Sequence, residues 1–411
     1  MIKIKPYTEL TNKDEFFNLY LYMVAKAVPF YPEDIFYEGY YYENGITQKD
    51  VSEYDRNAKR RTDNYIKLLS DYGITEGKSK STQKIKQEND AKLAQKMIEK
   101  YSSALHKFLY EGCKDGHVDP KKLRELLTTS VSETGLKKIG FSITDFPADD
   151  SNNTVRQQLL KYVFRYEDSF SKKIEKDDIQ AKNKAEIDDN IFRLVEMLGV
   201  SVCPYCNRLF TTTVSKSGKT VRPQLDHYRD KSDYPFLALS IMNLVPSCAV
   251  CNNIKGNKKD EVLYPYEEEM GDNCTFYVEP KDDYTALTGA KRFNKTEIKL
   301  KFVGNGTKEE RVKNSVNIFK LEDLYNSHTD IVSDLLLNRY ICTDKMIDDI
   351  YENFRELFQN RQEVREALLM GKLDKEYLGE RPLGKLIHDI SSQLDKEYAK
   401  IKLIGLLNKK E

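Results

Sequence analysis

The chain has no excess of charge of one sign: 66 Lys and Arg are balanced by 66 Asp and Glu over 411 residues. That balance excludes a whole-molecule field pulling it onto nucleic acid or an anionic membrane, so any nucleic-acid surface must be local. It has no apolar run near the roughly 20 residues needed to span a bilayer. Lys3, Lys5, Lys13, Asp14 and Glu15 interrupt the first 20 residues, which therefore lack the apolar core of a signal peptide. The cysteine usage argues against a disulfide framework: the seven are odd in number, and Cys113, Cys274 and Cys342 stand alone. This usage points to a reducing compartment and a soluble cytoplasmic protein. No internal repeat or low-complexity tract is present, and no G-x-x-x-x-G-K-[ST] loop for ATP.

The length implies more than one domain, and the patterning is mainly helical. Apolar residues recur every four positions at Leu93, Met97, Tyr101, Leu105 and Leu109, marking a helix over 91–111. Val118–Thr129 and Arg156–Tyr166 read as helices and Gly135–Phe146 as extended. Glu76–Asp90 reads as a solvated linker or helix start. Phe36, Tyr37, Tyr40, Tyr41 and Tyr42 form a cluster taken as structural packing. Ile187–Leu198 is amphipathic and ends on Gly199, a left-handed C-cap. Short aromatic and β-branched runs occupy Tyr264–Phe302. From Ser315 the pattern is helical, with stripes over Asp344–Met370 and Pro382–Leu407.

Four cysteines are paired as Cys203-x-x-Cys206 and Cys248-x-x-Cys251. Two C-x-x-C turns present four thiolates, the set a tetrahedral zinc ion takes. The 41 intervening residues exceed what a minimal zinc ribbon needs. Leu209–Val214, a turn at Ser215–Gly218 and Thr220–Asp226 predict a hairpin that delivers Asp226 and His227. Adjacent strand residues face opposite ways, so both serve one site only at a strand end. The window 201–260 carries nine Lys or Arg against four Asp, a local basic excess.

Cys203-Pro204-Tyr205-Cys206, Leu225-Asp226-His227-Tyr228, Asn243-Leu244-Val245 and Cys248-Ala249-Val250-Cys251-Asn252 with Lys255 resemble the zinc-containing branch of the HNH endonucleases, over roughly 60 residues. With the helical patterning of the flanks, the resemblance points to an α+β, mainly helical protein. In it a central ββα-metal HNH module with a zinc-ribbon-like staple spans 186–265. A helical N-terminal region, 1–185, for partner docking or DNA binding would precede it, and a region of short strands then helices, 266–411, would follow. It further implies that His227 is the general base and that Asp226 is a ligand to catalytic Mg²⁺ or Mn²⁺. Asn243 would brace the loop that holds the histidine, and Asn252 would be the second metal ligand. The four cysteines would hold structural Zn²⁺, and Lys255, Lys258 and Arg229 would contact the substrate.

Asn252 stands where many members have His; an amide oxygen suits Mg²⁺. Because Asn207 and Asn252 both follow a cysteine pair, a knuckle-turn or helix-capping role for Asn252 stays open. Further runs, Lys231–Leu237 and Asn243–Cys248, are similar to HNH proteins of bacterial anti-phage systems, including the Septu type. That likeness implies a DNA-cutting effector with an ATPase partner. The alternatives are a zinc-stabilised nucleic-acid-binding or scaffold protein with an inactive core, and a stand-alone restriction-like nuclease.

Overall fold

A computed structural model describes residues 1–27, 63–74, 83–113, 118–146, 152–166, 191–216, 219–258, 261–280, 296–304, 306–368 and 375–407. The tyrosine cluster at 36–42, the turn residues Ser217 and Gly218, Lys259 and the charged stretch 167–185 lie outside them. The described elements are mostly helical, with three two-stranded sheets. The chain divides into two compact units of several segments each: Lys5–Gly199 with Thr213–Val245, and Met1–Ile4 with Val200–Thr212 and Pro246–Glu411. No helix among the described residues is long and apolar enough to cross a membrane.

The first unit is a helical scaffold of α1 (Lys13–Ala27), α2 (Asp63–Asp71), α3 (Gln83–Tyr101), α4 (Ser103–Tyr110), α5 (Pro120–Thr128), α6 (Glu133–Lys138), α7 (Asn153–Tyr162) and α8 (191–198). Short side chains set its breaks. The stripe expected as one helix over 91–111 is two, because Ser102 adopts an extended conformation and its hydroxyl accepts from Leu105 N at 3.3 Å, capping α4. Asp119 caps α5, accepting from Lys121 N at 2.8 Å, with Pro120 in the first turn, where its missing N–H leaves no gap.

The expectation that Gly135–Phe146 is extended fails. Ser132 accepts from Gly135 N at 3.1 Å and starts α6, and a 3-10 turn follows at Ile143–Asp145. A Cβ at position 135 would sit 2.2 Å from Ser130 O, so only glycine lets this cap close. Gly199 adopts φ +60° after α8, the left-handed stop its position calls for.

Two short sheets follow, their last strand running past Val245, where this unit ends. β1 (Val214–Lys216) and β2 (Lys219–Val221) pair antiparallel. β3 (Gln224–His227) pairs with β4 (Leu244–Ser247). The expected hairpin, in which Thr220–Asp226 returns along Leu209–Val214, is therefore replaced by a shorter one. Pro223, with no N–H to give a ladder, separates β2 from β3, and Asp226 takes β4 as its partner strand.

The second unit holds α9 (Ala249–Lys255), the antiparallel pair β5 (Cys274–Pro280) and β6 (Thr296–Phe302), then α10 (Thr307–Ile318), α11 (Leu321–Tyr325), α12 (Thr329–Ile341), α13 (Asp344–Asn353), α14 (Arg361–Leu368) and α15 (Gly384–Leu407). The stripe read over 344–370 is interrupted after Asn353, and Asn360 opens α14 by accepting from Glu363 N at 3.0 Å. Both edges of the small sheet are closed by side chains. Asp389 Oδ2 accepts from Phe276 N at 2.9 Å, and Gln393, one turn along α15, bonds both Val278 N and O. Asn326 does the same to Ile298 N and O on the other edge. Exposed edges template unwanted pairing, and these amides and carboxylate occupy the ladder positions instead.

Candidate metal centre and histidine site

The four cysteines of the two C-x-x-C turns are buried and their sulfurs all lie within 4.8 Å of one another. Zinc–sulfur bonds of about 2.3 Å set tetrahedron edges of about 3.8 Å. The Cys206–Cys248 separation of 4.0 Å fits that edge, so the cluster can hold one metal ion such as zinc. Hydrogen bonds, first from Cys203, pull the Cys206 and Cys248 thiols down. Burial pushes Cys203 up, and hydrogen bonds to the other sulfurs push Cys251 up. A metal ion binds such a set as thiolates and releases the thiol protons.

The first turn is built as a knuckle. Val202 bridges Phe210, Cys203 N bonds Leu209 O at 2.9 Å and Asn207 N bonds Cys203 O at 2.8 Å. This return pairing is what uses Leu209 and Phe210, which the sequence assigned to the longer hairpin. Asn207 sits at φ +52°, which asparagine tolerates better than most residues. Its amide carries a role that the sequence did not reveal. Nδ2 donates to Leu378 O at 2.8 Å and Oδ1 accepts from Lys385 N at 2.9 Å, while its carbonyl accepts from Leu383 N at 2.6 Å. Asn207 therefore ties the knuckle to the start of α15. Tyr325, fully buried, donates to Cys206 O at 2.6 Å from the far side.

The second turn leads into α9, where Cys248 Sγ accepts from Cys251 N at 3.4 Å. Asn252, partly exposed, lies within this helix, its N bonded to Cys248 O at 3.1 Å and its O accepting from Gly256 N at 3.0 Å. It is thus an interior helical residue, neither the left-handed knuckle residue that Asn207 is nor a helix cap. Lys255 is only 5% exposed, whereas Lys258 is exposed.

In the helical unit, His227 closes β3 and is half-buried, and Asp226 beside it is 4% exposed. His227 Nε2 lies 3.0 Å from Ala238 O. A carbonyl only accepts, so Nε2 carries the hydrogen and the lone pair of the neutral ring falls on Nδ1. The ring of Tyr166 meets the imidazole edge-on, with centroids 4.4 Å apart at 69°. Lys231 Nζ stands 4.7 Å from the same tyrosine ring. Tyr166 lies four residues past the end of α7 and 61 positions before the histidine, with no local pattern to distinguish it from ordinary core.

Asn243 is fully buried and braces the loop after the histidine. Oδ1 accepts from Arg229 N at 2.7 Å, and Nδ2 donates to Arg229 O and Leu237 O, each at 3.0 Å. The helices fix the same loop. Tyr20 donates to Leu239 O at 2.6 Å, Tyr101 to Asp233 O at 3.2 Å, and Phe146 stacks on Phe236 at 3.9 Å. Arg229 turns inward: Nε donates to Val131 O at 2.7 Å. Asn243→Ala is expected to take these bonds from Arg229 N and O, Leu237 O keeping Ser240 N at 3.1 Å, and to lower unfolding stability by about 3 kcal/mol or more, measured by urea titration. A loss under about 1 kcal/mol would mean the bracing is dispensable.

No protein-family model matches the chain, and no curated protein or solved structure matches it.

Proposed function

We propose that the chain is a metal-dependent endonuclease of the HNH type that hydrolyses phosphodiester bonds in DNA, acting in the cytoplasm as the nuclease of an anti-phage defence system. The observation that carries this reading is the mounting of His227 at the end of β3. Nε2 is committed to Ala238 O at 3.0 Å, and the loop is pinned by three Asn243 hydrogen bonds. In that tautomer Nδ1 carries the ring's lone pair, the feature a general base uses to take a proton from an attacking water, work an imidazole does near neutral pH.

Asp226 offers a hard carboxylate oxygen for Mg²⁺ or Mn²⁺, which when bound would stabilise charge on the phosphate and the leaving oxygen. Asn252 enters as a second ligand on the resemblance alone. The four-cysteine cluster uses all four positions of a tetrahedral ion, which fits a structural zinc and leaves no open position for a substrate. Lys258, exposed just past the end of α9, is suited to contact the substrate backbone without reading sequence. The same defence-system resemblance supplies an ATPase partner, which co-purification from the native host tests.

The direct test is incubation of purified zinc-loaded protein with supercoiled plasmid. Nicking or linearisation is expected on adding Mg²⁺ or Mn²⁺ and not with zinc alone. Intact plasmid across all these metals, with and without the co-purified partner, would sink the nuclease reading and favour a zinc-stabilised nucleic-acid-binding scaffold.

A further inference from the structure

We propose that the β1–β2 hairpin is a ribbon that grips double-stranded DNA by lying along a groove. Its register sets Val214 opposite Val221, Ser215 opposite Thr220 and Lys216 opposite Lys219. By register the valine and lysine pairs lie two positions apart along the ribbon, with the serine–threonine pair between them. Several features of this arrangement are unfavourable for the protein alone. Like charges directly opposite one another destabilise a strand pair. Val214 and Val221 are 54% and 65% exposed, although valine is among the residues most often buried. A two-stranded ribbon is itself marginal in water.

A polyanion with apolar groove contacts relieves all of them together. From Thr213 to Leu225 the chain contains Lys216, Lys219 and Arg222 and no Asp or Glu, so the element is basic throughout in a chain whose net charge is zero. The major groove, about 12 Å wide, admits a two-stranded ribbon, and thymine methyls offer apolar contact for the valines. An acidic protein is the competing occupant. A patch built on one valine pair falls far short of the roughly 1,200 Å² that stable protein interfaces bury, whereas phosphate contacts gain affinity charge by charge. The inference rests on the nucleic-acid reading above but not on cleavage.

The test measures binding of the full-length chain to a labelled random-sequence DNA duplex by fluorescence anisotropy, without added Mg²⁺, over a series of salt concentrations. The triple variant Lys216→Gln, Lys219→Gln, Arg222→Gln is expected to bind roughly tenfold or more weakly and to lose about 2–3 from the slope of log affinity against log salt. The double variant Val214→Ser, Val221→Ser is expected to bind several-fold more weakly at an unchanged salt slope. Thermal unfolding and zinc content of each variant report on folding, and the two variants guard one another if either misfolds. Wild-type affinity and slope in both variants would overturn the hairpin assignment while leaving the nuclease reading standing. A wild-type chain that cuts plasmid but shows no salt-dependent duplex binding would also remove the hairpin. A chain that neither binds nor cuts would remove both readings.

Discussion

Cys251→Ser is expected to abolish retention of zinc and, with it, the cooperative unfolding of the unit that contains both cysteine turns. A hydroxyl is a poor substitute for a thiolate on zinc, and the four buried sulfurs within 4.8 Å would become three. Structural zinc contributes apparent binding free energies of about 10–16 kcal/mol in small metal-dependent domains, far more than a typical single mutation removes. The loss would propagate, because the knuckle is not an ornament on this unit. Asn207 holds Leu378, Leu383 and Lys385 at the start of α15, and Tyr325 of α11 closes on Cys206 O.

Two companions separate metal from packing. Cys342→Ser, outside the four-sulfur cluster, is expected to retain zinc fully. Asn207→Gly keeps the left-handed backbone and removes two side-chain hydrogen bonds, so it should retain zinc while losing about 1–3 kcal/mol. Metal analysis with thermal scans checks all three, and full zinc occupancy in Cys251→Ser would show that the four thiols do not act as one site.

The cysteine cluster was legible because ligand spacing is a local property: two residues between thiols force a tight turn, and four such sulfurs have few uses but a metal. Gly199 at φ +60° was legible for the same reason. What escaped depends on contacts distant in sequence or on a single interrupting residue. Pro223 redirected Asp226 from the expected hairpin to β4, and Ser102 and Asn360 broke helices that apolar periodicity alone would have run through. Phe354 and Leu357, which fall inside the stripe read over 344–370, are 51% and 73% exposed between α13 and α14. Tyr166 against His227, and Asp389 and Gln393 along β5, involve common residue types placed by tertiary packing. The interleaving of the two units has the same origin, since a chain that leaves a core and returns to it writes no signature where it crosses.

His227→Ala is expected to reduce plasmid cleavage by about 10²–10⁴-fold, the contribution of a positioned general base, with zinc content unchanged. The reasoning begins with the hydrogen bond at Ala238 O. With Nε2 held there at 3.0 Å and the ring edge packed against Tyr166, the imidazole has one orientation and one basic nitrogen. Alanine removes that nitrogen and leaves the backbone of β3 in place. Folding should survive, because Asn243 still bonds Arg229 and Leu237 and does not depend on the histidine. Tyr166→Leu is the subtler arm. It keeps the base but removes the ring that orients it, so turnover should fall severalfold to tenfold at unchanged KM, and Tyr166→Phe, which restores the edge-on ring, should recover most of it. Cleavage by His227→Ala at the wild-type rate would show that another group takes the proton. A Tyr166→Leu effect confined to KM would show that the tyrosine serves substrate binding and not the orientation of the base.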